Sequence, residues 1–164
     1  VTDFPMFERD PETGRPAPAH HPFTLPDVED PERLREAPME VTSRAYDVVY
    51  NGHELCSGSL RCHDPGLQRA IFDVLGLGRD DAEERFGFLL EAFRRGVPPH
   101  GGFALGLDRT VMLMVGATST RDVIAFPKTT AGRALLEGAP SPVAASELDE
   151  LGLGTTGDEE TDPT

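Results

Sequence analysis

AYDVVYNGHELCSGSLRC, residues 45–62, decides the fold. Ala45 to Tyr50 is rich in β-branched and aromatic residues and reads as a strand. Asn51-Gly52 suits a two-residue type I′ turn, in which both central residues need positive φ. His53 to Cys62 then returns as an antiparallel partner. With a two-residue loop the pairing is arithmetic: Tyr50 faces His53, Val49 faces Glu54 and Asp47 faces Cys56. Side chains alternate between faces, so Asp47, Val49, Glu54 and Cys56 share one side of the sheet. Asp47 and Glu54 become diagonal neighbours within reach of one ligand. Two such carboxylates repel unless a cation joins them, and Mg²⁺ with substrate phosphates is a suitable one. A plain solvated polar face fits the same spacing.

Arg61 lies seven residues after Glu54, so strict alternation turns it to the opposite face as a surface arginine. A bulge in Ser57-Gly58-Ser59 would swing it back beside the carboxylates. Its guanidinium fork could then hold a substrate carboxylate through two hydrogen bonds.

Outward from the hairpin, helices alternate with extended pieces. Val1 to Phe7 reads as a strand-like run and residues 8–19 as a loop, Pro- and Gly-rich. Asp30 caps a short helix over Pro31–Glu36, with proline at its first position. Asp64-Pro65 opens a helix through Leu75, and a second runs from about Asp80 to Arg95 on the stripe Ala82, Phe86, Leu89, Leu90 and Phe93. Gly101 to Leu107 reads as a glycine-rich strand, Arg109 to Val115 as a buried helix and Val123 to Phe126 as extended. A hairpin mixed with helices implies an α+β fold, an antiparallel sheet flanked by helices. Residues 1–143 form the patterned part. Residues 144–164 read as an acidic, disordered tail.

The net charge of −14 argues against a stand-alone nucleic-acid binder, which would show a basic face. Half of that charge comes from seven acids, with no base, between Ser146 and Thr164. Cys56 and Cys62 sit too far apart along one strand to form a disulfide and read as reduced thiols. No apolar run approaches the roughly 20 residues of a membrane span, and the cytoplasm is the default compartment.

Two further segments carry candidate chemistry. In Gly101–Arg109, small residues at 102, 104 and 106 leave one strand face almost bare. A flat base could lie on that floor, with Arg109 at the following helix start reaching phosphate oxygens. Tight helix-on-sheet packing is the other explanation. His20 and His21 are adjacent on an extended segment and point opposite ways, with no suitably spaced third ligand, which argues against zinc. Either one histidine hydrogen-bonds an anionic substrate while the other packs, or both are structural.

Taken together, HHPFT (20–24), AYDVVYNGHEL (45–55), SGSLRCHD (57–64), RFGFLLEAFRRGVPPHGGFALGLDR (85–109) and RDVIAFPKT (121–129) resemble, in order and spacing, the end of bacterial-type aspartyl-tRNA synthetases. The similarity runs from Val1 to about Val143, and GFALGLDR matches motif 3 of class II synthetases. The resemblance implies a partial class II catalytic core whose parent activates L-aspartate with ATP and transfers it to tRNA(Asp), as a homodimer. By position, Asp47 and Glu54 resemble the Mg²⁺ ligands, and Glu54, Gly106, Leu107, Asp108 and Arg109 the ATP site. Arg61 and His20 resemble the aspartate contacts. Asparaginyl transfer, amide synthesis on the same fold, or a non-catalytic nucleotide-binding module are the alternatives. The N-terminal anticodon domain, motifs 1 and 2 and the inserted domain of such enzymes have no counterpart here, so the 164-residue chain alone is expected to form no adenylate. Cys56 and Ser57 stand where such relatives carry glycines; serine at 57 is the milder change, and a Cβ at 56 would interfere if the backbone needed positive φ or a close approach to substrate.

Overall fold

The computed structural model describes residues 1–154. It divides into two units, Val1–Gly116 and Ala117–Thr164. All the candidate site residues lie in the first.

The centre of the first unit is an antiparallel sheet in the order β3–β4–β5, formed by Ala45–Tyr50, His53–Leu60 and Gly101–Leu105. The turn between β3 and β4 has φ of 49° at Asn51 and 78° at Gly52, as the Asn-Gly pair demands. A smaller ribbon pairs β1 (Phe7–Arg9) with β2 (Pro16–Pro18). The sequence suggested a loop here because proline cannot donate to a ladder. In a two-stranded ribbon its nitrogen simply faces outward.

Helix α1 (Pro31–Glu36) starts at Asp30, whose side chain accepts from the Glu32 amide. Helix α2 (Pro65–Val74) starts at Asp64, which accepts from the Leu67 amide at 2.8 Å. Asp73 of α2 joins Arg35 of α1 at 2.9 Å and Arg69 at 2.6 Å. Burial works to raise its proton affinity, but the hydrogen bonds from Arg69 and Arg35 win and hold its carboxyl below the usual range. Helix α3 (Arg79–Arg94) follows. The core gathers Met6, Phe7, Leu34, Val41, Cys62, Leu67, Ala70 and Ile71.

Helix α4 (Leu107–Met114) begins two residues before the expected start and is not buried; of its residues only Met112 is, while Met114 is 81% exposed. In the second unit, residues 123–126 form turns and bends after a 3-10 turn at Thr120–Asp122, not an extended piece. A short helix, α5 (Ala145–Glu150), lies in the stretch expected to be disordered. The rest of that acidic tail, 155–164, falls outside the described residues. Among the described residues no helix is long and apolar enough to cross a membrane.

Candidate active site

The hairpin pairs Tyr50 with His53 and Val49 with Glu54, as the two-residue turn dictates. The register then shifts: Val48 pairs with Cys56, and Asp47 with Ser57. Leu55 is therefore the extra residue of a β-bulge, and Asp47 does not face Cys56. The bulge lies nearer the turn than the Ser57–Ser59 stretch that the sequence suggested. On its other side Leu55 stays in register: the amide of Gly106, just past β5, donates to the Leu55 carbonyl at 2.7 Å, continuing the β4–β5 pairing.

The bulge reorganises the two faces. Asp47, Val49 and Glu54 stay together, but Ser57 and Ser59 replace Cys56 on their side. Alternation continued past the strand end carries Arg61 to that side as well. Across β5, Ser57 pairs with Ala104 and Ser59 with Gly102, so the small residues of β5 extend the same face. A Cβ on Gly102 would meet nothing within 4 Å. The floor is bare and open.

Cys56 turns to the other face with 6% of its surface exposed. The only non-glycine residues at positive φ among those described are Asp3 and Asn51, so neither Cys56 nor Ser57 is in a conformation that excludes a side chain. Positive φ is therefore not an obstacle to the cysteine at 56. Cys62 is buried, and burial pushes its thiol up to about 11, so it stays protonated and is a poor nucleophile.

Arg109 sits in the first turn of α4 beside Leu107 and Asp108, all three largely exposed. Its guanidinium crosses to β4, donates to the Glu54 carbonyl at 2.7 Å and lies 3.6 Å from the Glu54 carboxylate. Gly106, Arg109 and Glu54 are thus one cluster at the bulged end of the sheet. No group of three or more histidine, cysteine or acidic residues suited to a metal occurs among the described residues. The Asp47–Glu54 pair fits a cation shared with phosphates and water, not one held by protein alone.

At the other end of β4, Arg61 is half-buried and anchored from both sides. Its amide donates to the His100 carbonyl at 2.9 Å, and it bridges to Thr24. Leu25 and Cys62 complete the pairing, with Leu25 N–H to Leu60 at 2.9 Å and Cys62 N–H to Phe23 at 2.8 Å. The HHPFT segment is therefore laid along the end of β4. The imidazole that meets Arg61 is His21, at 3.2 Å from Nη1 to Nδ1. His20 instead stands edge-on to Phe4, with ring centroids 5.1 Å apart, and is exposed. Burial, then the charges of Arg61 and His20, lower the proton affinity of His21. His21 was not singled out from the sequence, because which of two adjacent histidines turns inward is set by a pairing 40 residues away. Arg61, His21, Phe23, Cys62, Leu89, Phe93 and His100 line a cavity of about 350 Å³.

Solved class II aminoacyl-tRNA synthetases share this arrangement of sheet and helices. An aspartyl tRNA synthetase from Entamoeba histolytica matches with a TM-score of 0.54 and 31% identity, over 69% of this chain and 21% of that one. The asparaginyl-tRNA synthetase from Pyrococcus horikoshii matches at 0.50 and 26%, over 68% and 24%. The family model for tRNA synthetases class II (D, K and N) matches residues 1–130, and the chain belongs to that family. Two relatives, from Salinibacter ruber and Bacillus cytotoxicus, are 54% and 55% identical over 153 residues. Both are named Aspartate--tRNA(Asp/Asn) ligase. The matches cover 93% of this chain but only 24% and 26% of those relatives, so the chain spans about a quarter of their length.

Proposed function

We propose that this chain carries the aspartate- and ATP-binding end of an aspartate–tRNA ligase. The observation that supports this most is the bulge at Leu55, after which strand alternation, continued one residue past β4, assigns Arg61 to the sheet face of Asp47 and Glu54. One surface then offers a fork for a carboxylate, a bare floor for a base and acidic groups for a phosphate-bound cation.

In this reading the adenine lies over the floor formed by Gly102, Ala104 and Gly106. Arg109, steadied by Glu54, rests against the triphosphate. Asp47 and Glu54 hold Mg²⁺, which neutralises phosphate charge. Arg61 takes the side-chain carboxylate of aspartate, and the exposed His20 supplies a further contact. The α-carboxylate of aspartate attacks the α-phosphorus of ATP, the bond to the β-phosphate oxygen breaks, and pyrophosphate leaves. The terminal ribose hydroxyl of tRNA(Asp) then attacks the activated carbonyl, releasing AMP. Neither step needs a protein nucleophile. Orientation and charge neutralisation supply the rate. The full-length enzyme is proposed to be a cytoplasmic homodimer.

The test is aspartate-dependent exchange of pyrophosphate into ATP by the full-length enzyme. Aspartate is expected to exceed asparagine by about 10³-fold or more in kcat/KM, because a neutral amide leaves a charged fork unsatisfied. Equal or preferred use of asparagine would overturn the assignment.

A further inference from the structure

Arginine side chains are long and lose about 2 kcal/mol of rotamer freedom when fixed. A fork that is to separate a carboxylate from an amide must nonetheless be held in place before substrate arrives. We propose that His21 is the residue that positions Arg61, acting as a neutral acceptor, and so sets the discrimination between aspartate and asparagine. The inference rests on the aspartate reading above.

Three contacts define what His21 does. Its Nδ1 lies 3.2 Å from Arg61 Nη1 and accepts from the Phe23 amide at 3.1 Å. The guanidinium and the amide can only donate, so Nδ1 carries no proton. The ring proton is on Nε2, and the hydroxyl of Thr24, which is 1% exposed, packs 3.3 Å from Nε2 and 3.5 Å from Nδ1. Arg61 therefore gives to His21, which accepts. Only one side of the fork is used, which leaves Nε and Nη2 of Arg61 for a carboxylate.

The imidazole is itself held by the core. The carbonyl of Pro22, next in the chain, accepts from Gln68 Nε2 at 2.9 Å, and Gln68 is fully buried. The ring of Phe23 meets Phe72 and Phe86 edge-on, at 6.1 and 5.1 Å. His21 thus transmits the rigidity of α2 and α3 to a side chain otherwise free to swing. It is a positioning residue; it need not touch substrate.

Two variants of the full-length enzyme separate this role from simple packing. His21→Asn places an amide oxygen near the Nδ1 position and keeps an acceptor. His21→Leu keeps bulk but offers none. In pyrophosphate exchange, His21→Leu is expected to raise KM for aspartate about 10-fold and shrink the aspartate-to-asparagine ratio equally, with kcat within about threefold of wild type. His21→Asn should stay within about threefold on every parameter. Wild-type behaviour of both variants overturns the proposal, as does equal damage by both. Independently of activity, ¹⁵N NMR of the wild-type protein should find His21 in the Nε2–H tautomer at neutral pH. An Nδ1–H tautomer or an imidazolium contradicts the contact. Wild-type enzyme that ignores aspartate would instead defeat the functional reading, while the tautomer still judges the contact.

Discussion

Replacing Arg61 by alanine in the full-length enzyme is expected to lower kcat/KM for aspartate about 10³-fold, with KM carrying most of the loss. The magnitude follows from the site. Arg61 is half-buried and its backbone is locked between His100 and Thr24. No other arginine or lysine lines the cavity in front of it. A carboxylate in a partly desolvated pocket without its cation loses about 3–5 kcal/mol, which is a factor of 10² to 10³ or more. Use of asparagine should change far less, because a neutral amide never depended on that charge. Arg61→Lys should recover only part of the activity, since an ammonium lacks the planar fork. Steady-state exchange kinetics with both amino acids check this. An Arg61→Ala enzyme that keeps its preference for aspartate would remove Arg61 from the specificity site.

The second large effect is structural. Gly58→Ala is expected to destabilise the sheet by about 3 kcal/mol or more. A Cβ at Gly58 would be driven into the Gly102 carbonyl oxygen and would come within 2.8 Å of the Tyr46 ring and 2.9 Å of Phe103 Cβ. The carbonyl belongs to the β5 backbone and has little room to retreat. The Tyr46 ring is tied as well, because its hydroxyl donates to the same Gly102 carbonyl at 3.1 Å. Tyr46 crosses β4 at the one position without a side chain and latches β3 to β5. Adding a methyl group there forces the strands apart beneath the glycine floor. Calorimetry of the full-length enzyme should find its earliest melting transition several degrees lower, with ATP binding weakened. A melting profile superimposable on wild type would contradict the packing described.

What the sequence disclosed was local. The Asn51-Gly52 turn, the Asp30 and Asp64 caps and the neighbouring positions of Asp47 and Glu54 all follow from residues a few positions apart. What it concealed depends on partners far away. Leu55 has no partner on β3, while its carbonyl accepts from Gly106, 51 residues later and just past β5. Hairpin arithmetic has no access to that bond, so it paired Asp47 with Cys56 and left Arg61 undecided. The choice of His21 over His20 as the partner of Arg61 is set in the same way, by the pairing of the HHPFT segment with the end of β4. Helix α4 carries an apolar stripe yet leaves most of it exposed, since period alone does not say whether a partner covers a face.

The most direct measurement of the central claim is binding of non-hydrolysable sulfamoyl analogues of aspartyl-adenylate and asparaginyl-adenylate to the full-length enzyme, by calorimetry. Such analogues fill the amino-acid and nucleotide positions together and need no turnover. The account predicts that the aspartyl compound binds at least about 100-fold more tightly, and that Arg61→Ala abolishes that difference. Equal affinity for the two compounds in the wild-type enzyme, or a preference untouched by Arg61→Ala, would contradict it.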